Sequence, residues 1–451
     1  MSVTGPLTVA IDVQVLPGKV GGIAQFVSAL VSSLGQLDDG PETYVLLVSS
    51  QAQLDWLKPV SGPNQRFVIK TPMPKRGETR FAANTNGRVT LGGLLKWSLG
   101  PLRPAFRYVQ EFLTLPVPPS NWPDVRVSDG FYESLGCDVI HFPTQGFILC
   151  ALPTIYNPHD LQLLHFPQFF SPQDIAARET VYSAGCHYAR TVVVGSQWAR
   201  EDVANHYGLR PEKIQVIAEG APTQLYIEPS SDVLARVKSQ YHLNKPFALY
   251  PAVTWPHKNH LRLLEAFAYL RDVRGLDLQL VCPGSRYEGF WPRIEKQIDD
   301  LNLSSQVSFV GFVPEEDLQA LYKLSQFLVE PSLFEASSLP IFEAWSEGTP
   351  VACSDRTALP EQVLDAALLF EPGSVESVAT AMEKLATDSG LRQKLRESGF
   401  RRLKDFDWTR TARAYRAVYR RAADCPLTEE DHWLLGWDWM REPQKKMETY
   451  L

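Results

Sequence analysis

Short apolar runs alternate with longer segments of helical periodicity between residues 247 and 354, and this alternation limits the folds that the chain can adopt. The apolar runs predict strands at 247–252, 276–282, 307–312, 326–332 and 350–354, and the segments between them predict helices at 261–272, 290–301, 315–325 and 339–347. Strands that are separated by helices of this length pair in parallel, because the chain must cross the face of the sheet before the next strand begins. The second half of the chain is therefore predicted to form a doubly wound parallel sheet.

The first half shows the same alternation with interruptions. The sequence predicts strands at 7–14, 43–49, 137–142, 153–157, 190–195 and 213–218, a helix that starts after the paired Gly21 and Gly22, and a helix at 197–207. A chain of 451 residues is long for a single core. We therefore expect an α/β protein with one Rossmann-like domain at 1–240, a second at 241–424 and a tail at 425–451.

Composition argues against several classes of protein. The formal net charge of −7 disfavours a general nucleic-acid binder, because such proteins need a basic surface to displace counterions. The six cysteines show no C-x-x-C spacing, so neither a zinc site nor a disulfide framework is indicated. The sequence contains no apolar run long enough to span a bilayer, and its start lacks the basic and apolar regions of a signal peptide. These observations predict a cytoplasmic protein.

The segment 330–355 is typical of a ligand site. A predicted strand leads into a loop and then into a helix that begins at Leu339, with Ser337 and Ser338 near its N-cap. The free N–H groups at such a helix start form a seat for phosphate. Glu335 in the loop and Glu343 in the helix bracket this seat, and each carboxylate can accept hydrogen bonds from neighbouring sugar hydroxyls. The alternative is that both acidic residues only complement the helix dipole.

This segment resembles the signature of retaining nucleotide-sugar glycosyltransferases of the GT-B fold. The matching residues are Pro331, Ser332, Glu335, Leu339, Pro340, Glu343, Ala344, Gly348, Thr349, Pro350 and Val351. The resemblance implies two Rossmann-like domains that face an interdomain cleft, with Glu335 at the hydroxyls of the transferred sugar and Glu343 at the ribose. The family usually has Gly-Phe-Gly where this chain has Ala336, Ser337 and Ser338, so the backbone here has less freedom to approach a diphosphate.

The loop after the predicted strand 247–252 supplies a cation. Lys258 and Asn259 lie at the mouth of the next helix, where a lysine can stabilise the charge that grows on a departing diphosphate. The alternative is a solvated surface lysine, but the spacing resembles that of the lysine in the same glycosyltransferases. The family commonly places an arginine six residues earlier, where this chain has Ala252, and His257 or another residue is a candidate replacement.

Two pairs of residues in the first half also follow predicted strands. Gly21 and Gly22 open a helix, where glycine N–H groups can approach an anion or a sugar, although such pairs also serve to pack a tight turn. His159 and Asp160 can hydrogen-bond hydroxyl groups, or can cap the turn and start the next helix. The resemblance implies that this His-Asp pair lines the cleft opposite the donor. His165 is predicted to be structural.

A proline-rich, irregular insertion is predicted at about 71–130. So long an irregular stretch inside a compact domain is usually functional or mobile. Its segment 94–115 mixes aromatic and basic residues, which suits a membrane surface or an acceptor flap. The alternative is a short helix packed on its own domain, since glycine and prolines interrupt any continuous amphipathic face.

Together, these patterns and the resemblance predict a retaining transferase that moves a hexose from a GDP- or UDP-sugar to a hydroxyl of a glycan, a lipid-linked acceptor or a small molecule. No metal or other cofactor is expected, because the sequence has no Asp-x-Asp triplet at a strand end and no histidine cluster. Segment 94–115 makes the inner face of the membrane a candidate for peripheral contact. Two rival classes remain: a nicotinamide-dependent dehydrogenase, which should carry a G-x-G-x-x-G motif that both halves lack, and a non-catalytic nucleotide-sugar-binding relative.

Overall fold

The computed structural model describes residues 6–15, 21–70, 125–221 and 228–441. These residues form two sheets, and the strand pairs with a described register are parallel in both. Helices alternate with the strands along the chain. The predicted α/β class, with two Rossmann-like parallel sheets, is confirmed.

The first sheet has the strand order β3-β2-β1-β4-β5-β6-β7. Its strands are β1 (Thr8–Asp12), β2 (Thr43–Val48), β3 (Gln65–Ile69), β4 (Val139–Phe142), β5 (Thr154–Tyr156), β6 (Thr191–Val194) and β7 (Ile214–Val216). The helices along this part of the chain are α1 (Gly22–Gly35), α2 (Gln51–Leu57), α3 (Phe131–Ser134), α4 (Gln162–His165), α5 (Pro172–Tyr188) and α6 (Gln197–Tyr207).

The second sheet has the order β10-β9-β8-β11-β12-β13. Its strands are β8 (Phe247–Leu249), β9 (Gln279–Pro283), β10 (Val307–Gly311), β11 (Phe327–Glu330), β12 (Val351–Ser354) and β13 (Leu368–Phe370). The helices along this part are α7 (Ser231–Gln240), α8 (His260–Arg274), α9 (Trp291–Asp300), α10 (Glu315–Leu324), α11 (Leu339–Ser346), α12 (Leu359–Val363), α13 (Val375–Thr387), α14 (Ser389–Leu403), α15 (Trp408–Ala422) and α16 (Glu429–Gly436).

The strand order of the second sheet determines where a ligand can bind. The chain winds outwards from β8 to β10, then returns to the centre and winds the other way from β11 to β13. At such a reversal the loops after the two central strands diverge and leave a crevice at their carboxyl ends. The loops that follow β8 and β11 are therefore the expected walls of a binding site.

The central strands of this sheet are buried along their whole length. Each residue of β8, β11 and β12 is buried, as expected for a parallel sheet covered by helices on both faces. Most of these side chains are apolar, and Glu330 at the end of β11 is a buried exception. A charged residue at such a position needs a specific reason, because burial without partners is costly.

The chain divides into two compact units, which are described separately. Their bounds are 1–158, 176–193 and 415–435 for the first unit, and 159–175, 194–414 and 436–451 for the second. The domain boundary near residue 240 and the tail from residue 425 stay predictions. Residues 71–124 of the predicted insertion, including segment 94–115, lie outside the described residues. Among the residues that the structure covers, no helix combines the length and the apolar character needed to cross a membrane.

Glu361 of α12 caps helix α6 within the second unit. Its carboxylate accepts hydrogen bonds from the N–H groups of Gln197 and Trp198, at 2.9 and 2.8 Å. These amides belong to the first turn of the helix, where they lack intrahelical partners. A negative charge at this end also interacts favourably with the helix dipole. We expect Glu361→Ala to lower the free energy of unfolding by about 1–2 kcal/mol, measured by chemical denaturation.

The matched control for this prediction is Glu295→Ala on α9. Glu295 is exposed, so its removal should change stability by less than about 0.5 kcal/mol. Equal denaturation midpoints for the two variants would show that the cap contributes no stability.

Candidate functional site

The loops after β8 and β11 carry the two charged residues that the sequence singled out. Lys258 lies at the end of the first loop and Glu335 within the second. The Lys258 ammonium contacts the Glu335 carboxylate at 2.5 Å, an ion pair between residues 77 positions apart in the chain. The side chains are 18% and 11% exposed, so the pair is shielded from bulk water while its edge stays reachable. The structure therefore brings the predicted cation and the predicted sugar-binding carboxylate together at the switch point of the second sheet, which is the place between β8 and β11 where the winding reverses.

Hydrogen bonds fix the backbone of the Lys258 loop. The Tyr250 hydroxyl donates to the Lys258 carbonyl at 2.7 Å, and the Leu333 N–H donates to the His257 carbonyl at 2.8 Å. The second bond joins the two loops directly. Lys258 consequently projects from a rigid support, which favours electrostatic stabilisation that needs no rearrangement.

Asn259 holds neighbouring loops together. Its side-chain amide donates to the carbonyls of Pro331 and Pro372, at 3.0 and 2.9 Å. Its backbone lies in the left-handed region, with φ of 58°, a conformation that asparagine tolerates better than most residues. In the structure the Asn259 side chain thus supports the site, and its role in donor binding stays a prediction.

Thr357 anchors the residue that carries the predicted catalytic carboxylate. The Glu335 N–H donates to the Thr357 hydroxyl at 3.0 Å, and that hydroxyl donates to the Glu335 carbonyl at 2.7 Å. The Ala358 N–H also donates to the Glu335 carbonyl, at 3.2 Å. The backbone of Glu335 is held through both its N–H and its carbonyl, and its carboxylate contacts the Lys258 ammonium.

Ser338 is the N-cap residue of α11, but its hydroxyl does not cap the helix. Instead it donates to the Glu330 carboxylate at 2.5 Å. The Gln362 side chain hydrogen-bonds both backbone groups of Ser338: it accepts from the N–H at 2.8 Å and donates to the carbonyl at 2.7 Å. Ser337 and Leu339 are half-buried on either side. The serine that replaces a glycine of the family pattern is thus integrated into a buried polar network.

Glu343 lies in α11, and its carboxylate accepts a hydrogen bond from the Tyr322 hydroxyl at 2.7 Å. Tyr322 is buried in α10 and is itself fixed, because its carbonyl accepts from the Thr349 hydroxyl at 2.7 Å. Glu343 remains half-buried. A carboxylate offers about four acceptor positions, and the Tyr322 hydroxyl uses one of those of Glu343.

The charges of this site are strongly perturbed by burial. Burial alone would lower the pKa of Lys258, but Glu335 and Glu330 outweigh that effect and the pKa is raised, so the ammonium stays charged. Burial lowers the pKa of His257 to about 4, against the opposing effect of Glu335 and with a smaller contribution from Lys258. His257 is therefore neutral near pH 7 and does not supply the positive charge for which it was a candidate.

His159 and Asp160 also lie in the second unit. The His159 ring nitrogen Nδ1 is 3.7 Å from the Glu219 carboxylate, and the His159 backbone is left-handed, with φ of 62°. The Asp160 carboxylate accepts from the Gln162 N–H at 3.0 Å, at the start of α4. Asp160 thus makes the helix-start contact that the structural alternative predicted, and the site role of the pair stays a prediction.

His165, predicted to be structural, makes packing contacts. Its ring lies 5.3 Å from that of Phe334 and 5.6 Å from that of Trp198, and its Nε2 is 2.8 Å from Asp202. Phe334 directly precedes Glu335, so this aromatic cluster supports the loop.

Gly21 and Gly22 begin α1 in the first unit. Gly21 is the N-cap residue, and a side chain there would meet no atom within 4 Å among the described residues. The predicted helix start is confirmed, and a ligand role stays a prediction. In the part of the chain that the structure describes, no group of three or more histidine, cysteine or acidic residues could hold a metal ion.

Three residues of the site were not predicted from the sequence. Glu330, Tyr250 and Thr357 contact or support the predicted residues through hydrogen bonds and charge. Only Glu330 left a signal in the sequence, as a carboxylate at the end of an otherwise apolar strand. The other two act through partners that are distant in the chain.

Two family models match the chain. The model described as "Glycosyl transferases group 1" matches residues 234–402, which include Lys258, Glu335 and Glu343. The model described as "Glycosyltransferase Family 4" matches residues 99–225, which include His159 and Asp160. Together, the two matches contain the site residues that were predicted outside the Gly21–Gly22 pair.

Curated relatives align with part of the chain. O-antigen chain mannosyltransferase B of Escherichia coli is 28% identical over 270 residues, which cover 58% of this chain and 69% of that protein. MMP alpha-(1->4)-mannosyltransferase of Mycolicibacterium hassiacum is 32% identical over 231 residues, covering 50% and 53%. The serotype-specific mannosyltransferase WbdA of Escherichia coli is matched over only 27% of its length.

Solved structures match over most of the chain. HepE of Anabaena in complex with UDP-glucose gives a TM-score of 0.63 at 18% identity, covering 92% of this chain and all (100%) of that one. Sucrose-phosphate synthase of Thermosynechococcus elongatus gives 0.62 at 20% identity, covering 92% and 98%. At these identities the likeness shows a shared fold.

Proposed function

We propose that this chain, which belongs to the group 1 glycosyltransferases of the GT-B fold, transfers a hexose from a nucleotide sugar to a hydroxyl acceptor with retention at the anomeric carbon. The observation that best supports this proposal is the buried ion pair of Lys258 and Glu335 at the carboxyl edge of β8 and β11. This is the edge at which doubly wound sheets bind nucleotides.

The proposed chemistry assigns each group a different part of the donor. The bond between the anomeric carbon and the diphosphate oxygen breaks, and its electron pair leaves with the diphosphate. Lys258 stabilises that growing negative charge, assisted by the N–H groups at the start of α11. The acceptor oxygen forms the new bond on the same face of the sugar, and its proton passes to the departing diphosphate. The proposal includes no covalent enzyme intermediate, no metal and no other cofactor.

Glu335 and Glu343 bind different hydroxyls in this scheme. Glu335 lies in contact with Lys258. In the proposed scheme it lies beside the transferred sugar, where its negative charge stabilises the positive charge that develops at the ring. Glu343, oriented by Tyr322, accepts hydrogen bonds from the ribose diol. His159 and Asp160 serve the sugar or its acceptor, and Ser337, Ser338, Leu339 and Asn259 form the wall of the donor site.

The relatives guide the choice of substrates. All three curated relatives are named mannosyltransferases, which favours a hexose, and one of them is named for the O-antigen chain, which favours a glycan acceptor. HepE, whose fold the chain shares, binds UDP-glucose. Segment 94–115 keeps a lipid-linked acceptor and peripheral contact with the membrane in the proposal. A cytoplasmic location is also part of it.

The test is a panel of GDP- and UDP-sugars, scored for release of nucleotide with and without oligosaccharide acceptors. We expect one donor to give acceptor-dependent release, and NMR of the product to show the anomeric configuration of the donor. Inversion at that carbon would refute retention, and release of nucleotide from none of the donors would refute the transferase activity.

A binding-only relative is the second candidate function, and the loop after β8 favours it. Ala252 stands where the family commonly has an arginine, and its N–H is occupied by the Pro283 carbonyl at 2.9 Å. The donor site thus has one cation fewer than the resemblance implies. Saturable binding of a nucleotide sugar without turnover in the same panel would support this alternative.

A further inference from the structure

Glu330 is a third carboxylate of the site, within electrostatic reach of Lys258 and Glu335. It ends β11, is 1% exposed, and receives a hydrogen bond of 2.5 Å from the Ser338 hydroxyl. A buried carboxylate in a strand of apolar residues is costly unless its charge is balanced or removed. Its position at the switch point, directly before the Glu335 loop, makes it a candidate for a role in ligand binding.

Several elements place polar or titratable groups within electrostatic reach of Glu330. Lys258 comes from the loop after β8, Glu335 from the loop after β11, and Glu343 from α11. The Tyr250 phenol and the Cys353 thiol, after β8 and in β12, also lie within its electrostatic reach, and burial raises the pKa of both, so they stay neutral near pH 7. One cation therefore faces the two nearest carboxylates, Glu335 and Glu330. If both are ionised, these three residues carry a net negative charge at the place where the proposed function puts the diphosphate.

We propose that Glu330 is a positioning residue that couples binding of the nucleotide sugar to uptake of a proton. The inference rests on the proposed function. When Glu330 is neutral, the Lys258 charge balances Glu335 and the diphosphate meets no excess of negative charge. When Glu330 is ionised, it competes for Lys258 and repels the diphosphate. By linkage, the bound diphosphate must favour the protonated form of Glu330 to the same extent.

The pKa of Glu330 places this transition near neutrality. Burial and, to a smaller extent, Glu335 raise the pKa to about 7 against the opposing effects of Lys258 and the Ser338 hydrogen bond. The carboxyl is therefore neutral well below pH 7 and ionised well above it. Donor affinity should be highest at acid pH and should fall as the pH rises through this pKa. We expect a decrease of roughly tenfold between pH 6 and pH 8.5, the effect of one charge acting at about 10 Å in a partly buried site.

Calorimetry with UDP-glucose, UDP-mannose and GDP-mannose tests the inference. The diphosphate of these donors is esterified at both ends and has no proton to lose near pH 7, so it adds no titration of its own. Wild type should take up a fraction of a proton per ligand near pH 7.5, measured from the binding enthalpy in buffers of different ionisation enthalpy. Glu330→Gln keeps an acceptor for Ser338 but cannot ionise, so both the proton uptake and the tenfold pH dependence should vanish.

Two further variants separate the role of Glu330 from a general effect on the fold. Ser338→Ala removes the hydrogen bond that favours the ionised form, so the midpoint of the pH dependence should move to higher pH. Glu347→Gln is the matched control, because burial also raises the pKa of that carboxyl but Lys258 is not among its neighbours. It should leave proton uptake unchanged.

The outcomes distinguish the inference from the proposed function. Binding that keeps its pH dependence in Glu330→Gln would overturn the role of Glu330 while leaving the function intact. If Glu330→Gln does not fold, an unmoved midpoint in Ser338→Ala overturns the inference instead. If wild type binds none of the three donors and no other GDP- or UDP-sugar of the panel at any pH, the proposed function fails and the inference fails with it.

Discussion

Lys258→Ala is expected to lower kcat/KM for the nucleotide sugar by about 30- to 1,000-fold, which corresponds to roughly 2–4 kcal/mol of transition-state stabilisation. The reason is that the Lys258 ammonium is buried, fixed through its backbone by Tyr250, and positioned at the carboxyl edge of the sheet. A charge that is already oriented stabilises a departing diphosphate without reorganisation. Removing it also leaves Glu335 without its ion-pair partner, which adds repulsion towards the donor.

The control for this prediction is Lys245→Ala in the same unit. Lys245 is half exposed and pairs with Asp277 at 2.6 Å. Loss of such a surface ion pair changes stability little, and Lys245→Ala should leave kcat/KM at the wild-type value. Lys258→Arg should retain part of the activity, because it keeps the charge but not the geometry of the ammonium. Turnover of Lys258→Ala within about threefold of wild type, a change below 1 kcal/mol, would mean that Lys258 does not contact the diphosphate.

The fold could be predicted largely from periodicity, because buried parallel strands and the helices between them leave clear apolar patterns. The helix at Pro172–Tyr188 is one exception. Its buried residues are confined to its last turns, so no apolar stripe runs along its length. Helices without such a stripe are stabilised by contacts and caps that a periodicity argument does not detect.

The proximity of Lys258 and Glu335 could also be anticipated from the sequence. Each follows a strand that is central in the sheet, and the strand order that is usual for doubly wound folds makes those strands neighbours. The position of each residue in its loop was thus enough to place both at one edge. The resemblance supplied the roles, and the structure supplied the contact.

The supporting contacts could not be anticipated, because they join residues by side-chain chemistry across long stretches of chain. Ser338 illustrates this. Local pattern predicted a residue near the N-cap, and the structure puts it at the N-cap with its hydroxyl on Glu330 and its backbone on Gln362, 24 residues away. Buried polar groups choose partners by geometry, and a single sequence does not contain that geometry.

The two glutamates of the signature are expected to differ in the kinetic constant that they control. Glu335→Gln should lower kcat by about 100-fold or more with a small change in donor KM, because its charge acts on the sugar as positive charge develops in the transition state. Glu343→Gln should mainly raise donor KM, by about 5- to 20-fold, because the ribose diol is bound equally in the ground and transition states. Glutamine preserves the size and one acceptor oxygen of each side chain, so the comparison isolates the charge.

Contacts in the structure sharpen this comparison. Tyr322 donates to Glu343 and lies in a different helix, so Tyr322→Phe should move donor KM in the same direction as Glu343→Gln, by a smaller factor and with kcat unchanged. Lys258 donates to Glu335, and a glutamine there can still accept that hydrogen bond, so loss of kcat in Glu335→Gln reflects lost charge and not a lost contact. Steady-state kinetics with thermal melts of all three variants decide the matter. Equal increases in KM for Glu335→Gln and Glu343→Gln, with kcat preserved in both, would assign Glu335 to substrate binding alone and would remove the carboxylate from the proposed catalytic step.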